Sequence, residues 1–139
     1  MNGYLGTMNS LDLYDGVMDG KYRLGSLAYR IARKVSDIIT PGPATTWFFL
    51  DEHPGSINDG FFRVIMEDSG AAAHMGDFPG SNHNTADGFS FADGHAEIHK
   101  WLDSRTSIPF NGNSMPFNTP SPNNPDIAWM QQRTSAQVK

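Results

Sequence analysis

The segment HAEIHK places His95, Glu97 and His99 at alternate positions. Alternate side chains of a strand point the same way, so all three project from one face. Imidazole nitrogens and a carboxylate suit a divalent cation, and a set of three leaves a coordination position open for water. His83 and Asp93 lie close in the sequence and complete a candidate metal set of His83, Asp93, His95, Glu97 and His99. There is a structural alternative. Asp93 precedes Gly94, and turn chemistry explains an Asp-Gly pair without a ligand. His83 can simply hydrogen-bond the nearby turn. A polar outer face is also what half-buried strands normally show.

A second group, Asp51, Glu52 and His53, follows the apolar run TTWFFL. Two carboxylates in unlike environments can divide acid and base work on a glycosidic bond. Adjacent strand residues face opposite ways, so Asp51 and Glu52 do not pair with each other. One of them would pair with Asp59, Asp93 or Glu97. The candidate catalytic residues are therefore Asp51, Glu52, Asp93 and Glu97, with His53 and the flat ring of Trp101 as substrate contacts. The competing reading has Asp51 and Glu52 accepting hydrogen bonds from the SINDG loop, and Trp101 in the core. Oxygen-rich loops with Asn58, Asp59, Asp68, Asn82 and Asn84 suit Ca²⁺ or another divalent cation, without EF-hand spacing.

The elements that position these groups follow from local pattern. Asp93-Gly94 between alternating segments predicts a hairpin with a two-residue loop. Its register sets Ala92 opposite His95, Phe91 opposite Ala96, Ser90 opposite Glu97, Phe89 opposite Ile98 and Gly88 opposite His99. One face then carries Phe89, Phe91, Ala96 and Ile98, and the other His95, Glu97, His99 and Trp101. In Lys21–Val35 the apolar stripe Leu24, Leu27, Ala28, Ile31, Ala32 and Val35 predicts an amphipathic helix, weakened at Gly25 by about 1 kcal/mol. Thr45–Leu50, apolar on both faces, predicts a central strand ending before Pro54. Phe61–Met66 predicts another strand and Glu67–Asn82 a long loop. Residues 1–20 read as loop with one short strand. Five of the nine prolines fall between Pro109 and Pro125, so 105–139 reads as an irregular arm. Pro125 suits the first position of a short helix capped by Asn124, with Ile127 and Met130 facing inward. The expected fold class is α+β: an N-terminal helix packed on a small, mostly antiparallel sheet, with an irregular Pro/Asn-rich C-terminal wrap, in one domain over 1–139.

Composition narrows the function classes. A net charge of −5 argues against nucleic acid or an anionic membrane as partner. Zero cysteines exclude disulfides, thiolate metal sites and a cysteine nucleophile. There is no phosphate-binding glycine loop, so no nucleotide cofactor is expected, and no G-x-S-x-G elbow. Nothing approaches the roughly 18 consecutive apolar residues of a membrane span, and no charged-then-apolar export signal opens the chain.

His83, nine residues, then Asp93-Gly94 resembles the H-x9-DG signature of prepilin-type proteins. The segments Ser36–Phe62, Gly88–Trp101 and Asn123–Ser135, and the opening MNGYLG, resemble the globular part of that family. The resemblance implies a pseudopilin-like head that works by assembly with other pilin-like subunits or secretion components, in the periplasm or at the cell surface. Family members begin with a basic leader and a long apolar helix, and this sequence opens where their globular part is already under way. The resemblance extends to the major pseudopilin of type II secretion, which implies a loop calcium ion without assigning its positions here. The alternatives are a glycoside hydrolase using paired carboxylates on a polysaccharide, and a non-catalytic carbohydrate binder using Trp101.

Overall fold

The computed structural model of the chain describes residues 1–2, 21–24 and 27–137, with side chains for 1–2 and 29–137. Its strands are β1 (Lys21–Leu24), β2 (Leu27–Arg30), β3 (Trp47–Leu50), β4 (His74–Met75), β5 (Ala86–Phe91), β6 (Ala96–Lys100) and β7 (Thr119–Pro120), followed by helix α1 (Pro125–Thr134). All pairings between these strands are antiparallel: β1 with β2, β4 with β7, and a three-stranded sheet in the order β3-β5-β6. The fold is thus mixed α+β around small antiparallel sheets.

The helix expected over Lys21–Val35 does not form. Its described residues are β1, β2 and a 3-10 turn at Val35–Asp37, and α1 is the only α-helix among the described residues. Leu24 pairs with Leu27 and Tyr22 with Tyr29, so spacing that suits one face of a helix also suits a hairpin rich in strand-forming tyrosine. Long-range bonds decide the matter. The Tyr29 hydroxyl donates to the Met66 carbonyl at 2.6 Å and the Arg30 N–H to Ala136 at 3.0 Å. The reading of residues 1–20 falls outside the described residues except for Met1 and Asn2.

β3 is an edge strand, not a central one, because β5 has neighbours on both sides. Trp47 is buried, while Phe49, after a register shift, is 53% exposed. The stretch Phe61–Met66 supplies buried side chains but forms no ladder beyond a bridge from Phe62 to Asn2. The expected loop Glu67–Asn82 contains a 3-10 turn at Gly70–Ala72 and then β4.

The hairpin forms where expected, with its register displaced by one residue. Phe89 lies opposite Glu97, and Ser90 opposite Ala96. The loop holds Ala92, Asp93 and Gly94, closed by Gly94 N–H to the Phe91 carbonyl and Phe91 N–H to His95. Gly94 takes φ +96°, the positive dihedral that closes a three-residue loop and that favours glycine. A slip of one residue exchanges the faces of one strand relative to the other. Phe89 and Phe91 therefore share a face with His95, Glu97, His99 and Trp101, and Ala96 and Ile98 face outward with Gly88 and Ser90.

The core gathers Trp47, Phe62, Met75, Phe89, Ile127 and Met130. α1 starts where its cap predicts. The Asn124 side chain accepts from the N–H groups of Asp126 and Ile127, and Pro125 occupies the first turn, where its missing N–H leaves no orphan. The Asn124 amide also donates to Thr106 and Ser121 hydroxyls at 3.0 Å each. Asn124→Ala should lower stability by roughly 1–3 kcal/mol, since it removes a cap and strands buried partners. Urea unfolding followed by tryptophan fluorescence checks this.

Candidate functional site

Beyond β3 the chain stays extended and runs against Phe78–Gly80. The Gly80 N–H donates to the Asp51 carbonyl at 2.7 Å, and His53 N–H to the Phe78 carbonyl at 2.9 Å. Glu52 bridges Pro79 between them. Alternation sends Glu52 to one side and Asp51 and His53 to the other. Gly80 suits this close approach, because a Cβ there would lie 3.2 Å from the Asp51 carbonyl oxygen and the neighbouring chain would have to give slightly.

Two carboxyls with displaced acidity lie near Glu52's side. Burial pushes Glu52 up to about 7, and the neighbouring Asp77 charge adds to the shift. Burial likewise pushes Asp77 up to about 6, against the Arg63 N–H, which donates to it at 2.5 Å. Asp59 caps the Phe61 N–H at 2.7 Å, and its charge raises both. A third displaced carboxyl is Asp87, only 1% exposed. Its Oδ1 accepts from Gly88 N–H at 2.8 Å, while Oδ2 has no hydrogen-bond partner. Burial, then the Asp51 charge, pushes it up to about 7. A carboxyl that keeps its proton near neutral pH can act as an acid, and its partner of lower pKa as a base.

The candidate catalytic residues do not share one place. Glu52 belongs to the Asp77 cluster. Asp51 is exposed, 4.0 Å from His83 Nε2. Residues 51 and 97 both line an open groove of about 430 Å³ on the outer face of the sheet, but the Glu97 side chain projects to the opposite face, beside Phe89. Asp93 is exposed at the hairpin tip, where its Oδ1 meets His95 Nδ1 at 2.6 Å and accepts the His95 N–H at 3.1 Å. Those bonds hold its carboxyl below the usual range.

The candidate metal ligands are also dispersed. His83 precedes β5 and Asp93 follows it, at opposite ends of the strand. His95 lies flat on Phe91 at 4.3 Å. His99 stacks on Trp129 at 3.7 Å, and burial holds its ring below the usual histidine range. Among the described residues no three His, Asp or Glu side chains converge as a metal-binding group. Of the oxygen-rich loop residues, Asp68 lies 3.2 Å from His74 Nδ1 and Asp59 is committed to its own turn.

The two substrate contacts are inside. Trp101 is 4% exposed and its indole N–H donates to the Gly80 carbonyl at 2.8 Å. His53 is buried, accepts from the Gly55 N–H at 3.1 Å through Nδ1, and meets Phe110 edge-on.

Asp77 and Asp87 escaped the sequence reading. Asp77 sat in a stretch read as loop. Asp87 opens another of the sequence's Asp-Gly pairs, ADGF, between the apolar residues Ala86 and Phe89, and that setting was the available signal.

The raised carboxyls predict a pH slope. The unfolded chain releases these protons near the ordinary values, 3.8 for Asp87 and 4.5 for Glu52, while the fold keeps them to about 7. The folded state binds more protons across that window, so stability falls as pH rises through it and levels off above. Asp87→Asn should flatten the fall by roughly 1–3 kcal/mol, read from urea midpoints at mildly acidic and mildly alkaline pH. No protein-family model matches the chain, and no curated protein or solved structure matches it either.

Proposed function

We propose that this chain is the head domain of a pseudopilin-like subunit, which acts by assembly and interaction outside the cytoplasm. The H-x9-DG resemblance motivates this reading. The observation that carries it is the outer face of the β3-β5-β6 sheet. One face of that sheet holds the core, while the other leaves Phe49 and Ile98 exposed beside the groove. Large apolar side chains grouped on an exposed face favour a surface used in protein contact. The hairpin residues behave as parts of the fold: Asp93 shapes the turn, and His95 and His99 stack on aromatic rings. No helix among the described residues is long and apolar enough to cross a membrane.

A hydrolase is the second reading, favoured by the unlike carboxyls Glu52 and Asp77. It would cleave a glycosidic bond with Glu52 as acid and Asp77 as base. Incubating the purified chain with a polysaccharide panel, with elemental analysis and chelation in parallel, separates the two. The assembly reading expects no product in any lane. Turnover lost in Glu52→Gln and in Asp77→Asn would replace it with the hydrolase, and turnover lost on chelation would restore a metal to the chemistry.

A further inference from the structure

The sequence holds two Asn-Gly pairs, Asn2-Gly3 and Asn111-Gly112. Such a pair can react within itself. The glycine amide nitrogen attacks the asparagine Cγ, and glycine has no Cβ to stand in the way. The reaction needs a free nucleophile, an amide oxygen that is stabilised as it gains charge, and open access for leaving ammonia and incoming water. The fold treats the two pairs in opposite ways.

Asn111 meets all three needs. Residues 111–113 lie exposed on the arm between Phe110 and Met115. Among the described residues no backbone carbonyl takes the Gly112 N–H. Nothing lies within 4 Å of the place where a Gly112 Cβ would sit, so the site is open to water. The Asn111 Oδ1 accepts the Asn113 N–H at 3.1 Å, the bond of an Asx turn. That donor polarises the side-chain carbonyl and stabilises the negative charge that grows on Oδ1 when Cγ is attacked. Asn2 is the reverse case. It is fully buried, and its Nδ2, the leaving nitrogen, donates to the carbonyls of Trp47 at 2.9 Å and Thr134 at 3.2 Å. The same turn bond forms at Asp59 and Asp93, each followed by glycine, but there an ionised carboxylate is a poor electrophile.

We propose that Asn111 is a site of spontaneous hydrolytic modification, with Gly112 as the nucleophile and water as the co-reactant. The Gly112 nitrogen gives its proton to solvent hydroxide and bonds to Cγ. The Cγ–Nδ2 bond breaks, and Nδ2 leaves as ammonia with a proton from water. The resulting succinimide ring takes up one water. Opening at one carbonyl leaves aspartate, and opening at the other leaves isoaspartate. No atom changes oxidation state. Either product adds one negative charge to a chain of net charge −5. Isoaspartate also runs the main chain through Cβ and Cγ, a methylene longer. It does so between two held points: Phe110, edge-on to His53, and Met115, whose N–H donates to the Gly55 carbonyl at 2.6 Å. The arm over His53 must then shift to accommodate the extra length. The site is independent of which reading of the function holds.

Incubating the full chain at mildly alkaline pH, with peptide mapping by mass spectrometry at intervals, tests this. Asn111 should gain the amide-to-acid mass change at least about tenfold faster than Asn2, because Asn2 reacts only when the fold opens. In urea the two rates should converge, since the gap belongs to the fold. Asn111 should convert in the folded chain at least as fast as in urea. Fragmentation that separates aspartate from isoaspartate should find both products at 111. Asn111→Gln, which would have to close a larger ring, should lose the acidic species that wild type accumulates on anion exchange.

Folded Asn111 that converts no faster than Asn2, or more slowly than in urea, overturns the proposal. So does aspartate without isoaspartate, which would mean direct hydrolysis of the side chain without Gly112. An Asn111→Gln chain that accumulates the acidic species like wild type overturns it as well.

Discussion

An indole buried at Trp47 has to find a partner for its N–H, and the rest of the structure is arranged around that requirement. Trp47 is fully buried, and its Nε1–H donates to Thr134 Oγ1 at 2.9 Å. Left unpaired in an apolar setting, that donor would cost several kcal/mol, on the order of 2–7. The Thr134 hydroxyl in turn donates to the Met130 carbonyl at 2.8 Å, so it is used in both directions. Asn2 reaches the same place and donates to the carbonyls of Trp47 at 2.9 Å and Thr134 at 3.2 Å. Phe62 and Phe89 meet the ring edge-on, at 5.9 and 6.2 Å. The end of α1, the edge strand β3, the central strand β5 and the segment at Phe62 therefore converge on one side chain.

Burial alone does not decide how a carboxyl behaves in this fold. Asp126 is fully buried, and its two oxygens accept the N–H groups of Leu102 and Asp103 at 2.9–3.2 Å. It ties the start of α1 to the chain leaving β6. Asp87 is equally buried, one of its oxygens has no hydrogen-bond partner, and burial pushes its carboxyl up to about 7. Glu52 and Asp77 lie between these cases, because each has one local donor and a neighbouring negative charge. The result is an acidic region along the Asp51–His53 and Asp77–Gly80 segments, separate from the hairpin tip.

The elements legible in the sequence were those whose signals are local. Asn124-Pro125 marked the start of α1, and Ile127 and Met130 faced inward as their spacing required. Asp93-Gly94 marked a hairpin, but the dipeptide does not determine whether the loop holds two or three residues, and that count assigns the faces. The Lys21–Val35 stripe misled because helix and hairpin both satisfy it, and the bonds from Tyr29 and Arg30 that choose between them reach far along the chain. Thr45–Leu50 read as central because its residues are apolar, and Phe49 proves to be apolar and exposed. The site was less legible still. Glu52 was named with Asp59, whose charge does reach it, but its stronger neighbour Asp77 was missed, since Asp77 approaches it only through the pairing of Asp51–His53 with Phe78–Gly80.

The three-residue tip of the hairpin has a consequence for how this chain can change over time. Residues at 92 and 93 can be exchanged wherever the turn still closes. A gain or loss of one residue there, absorbed as a change of register, would turn β6 over. Trp101 would leave its bond to Gly80 for solvent, and Ile98 would enter a core with no space made for it. At this tip the fold accepts many spellings of the loop, but it constrains the loop's length as tightly as it constrains a buried side chain.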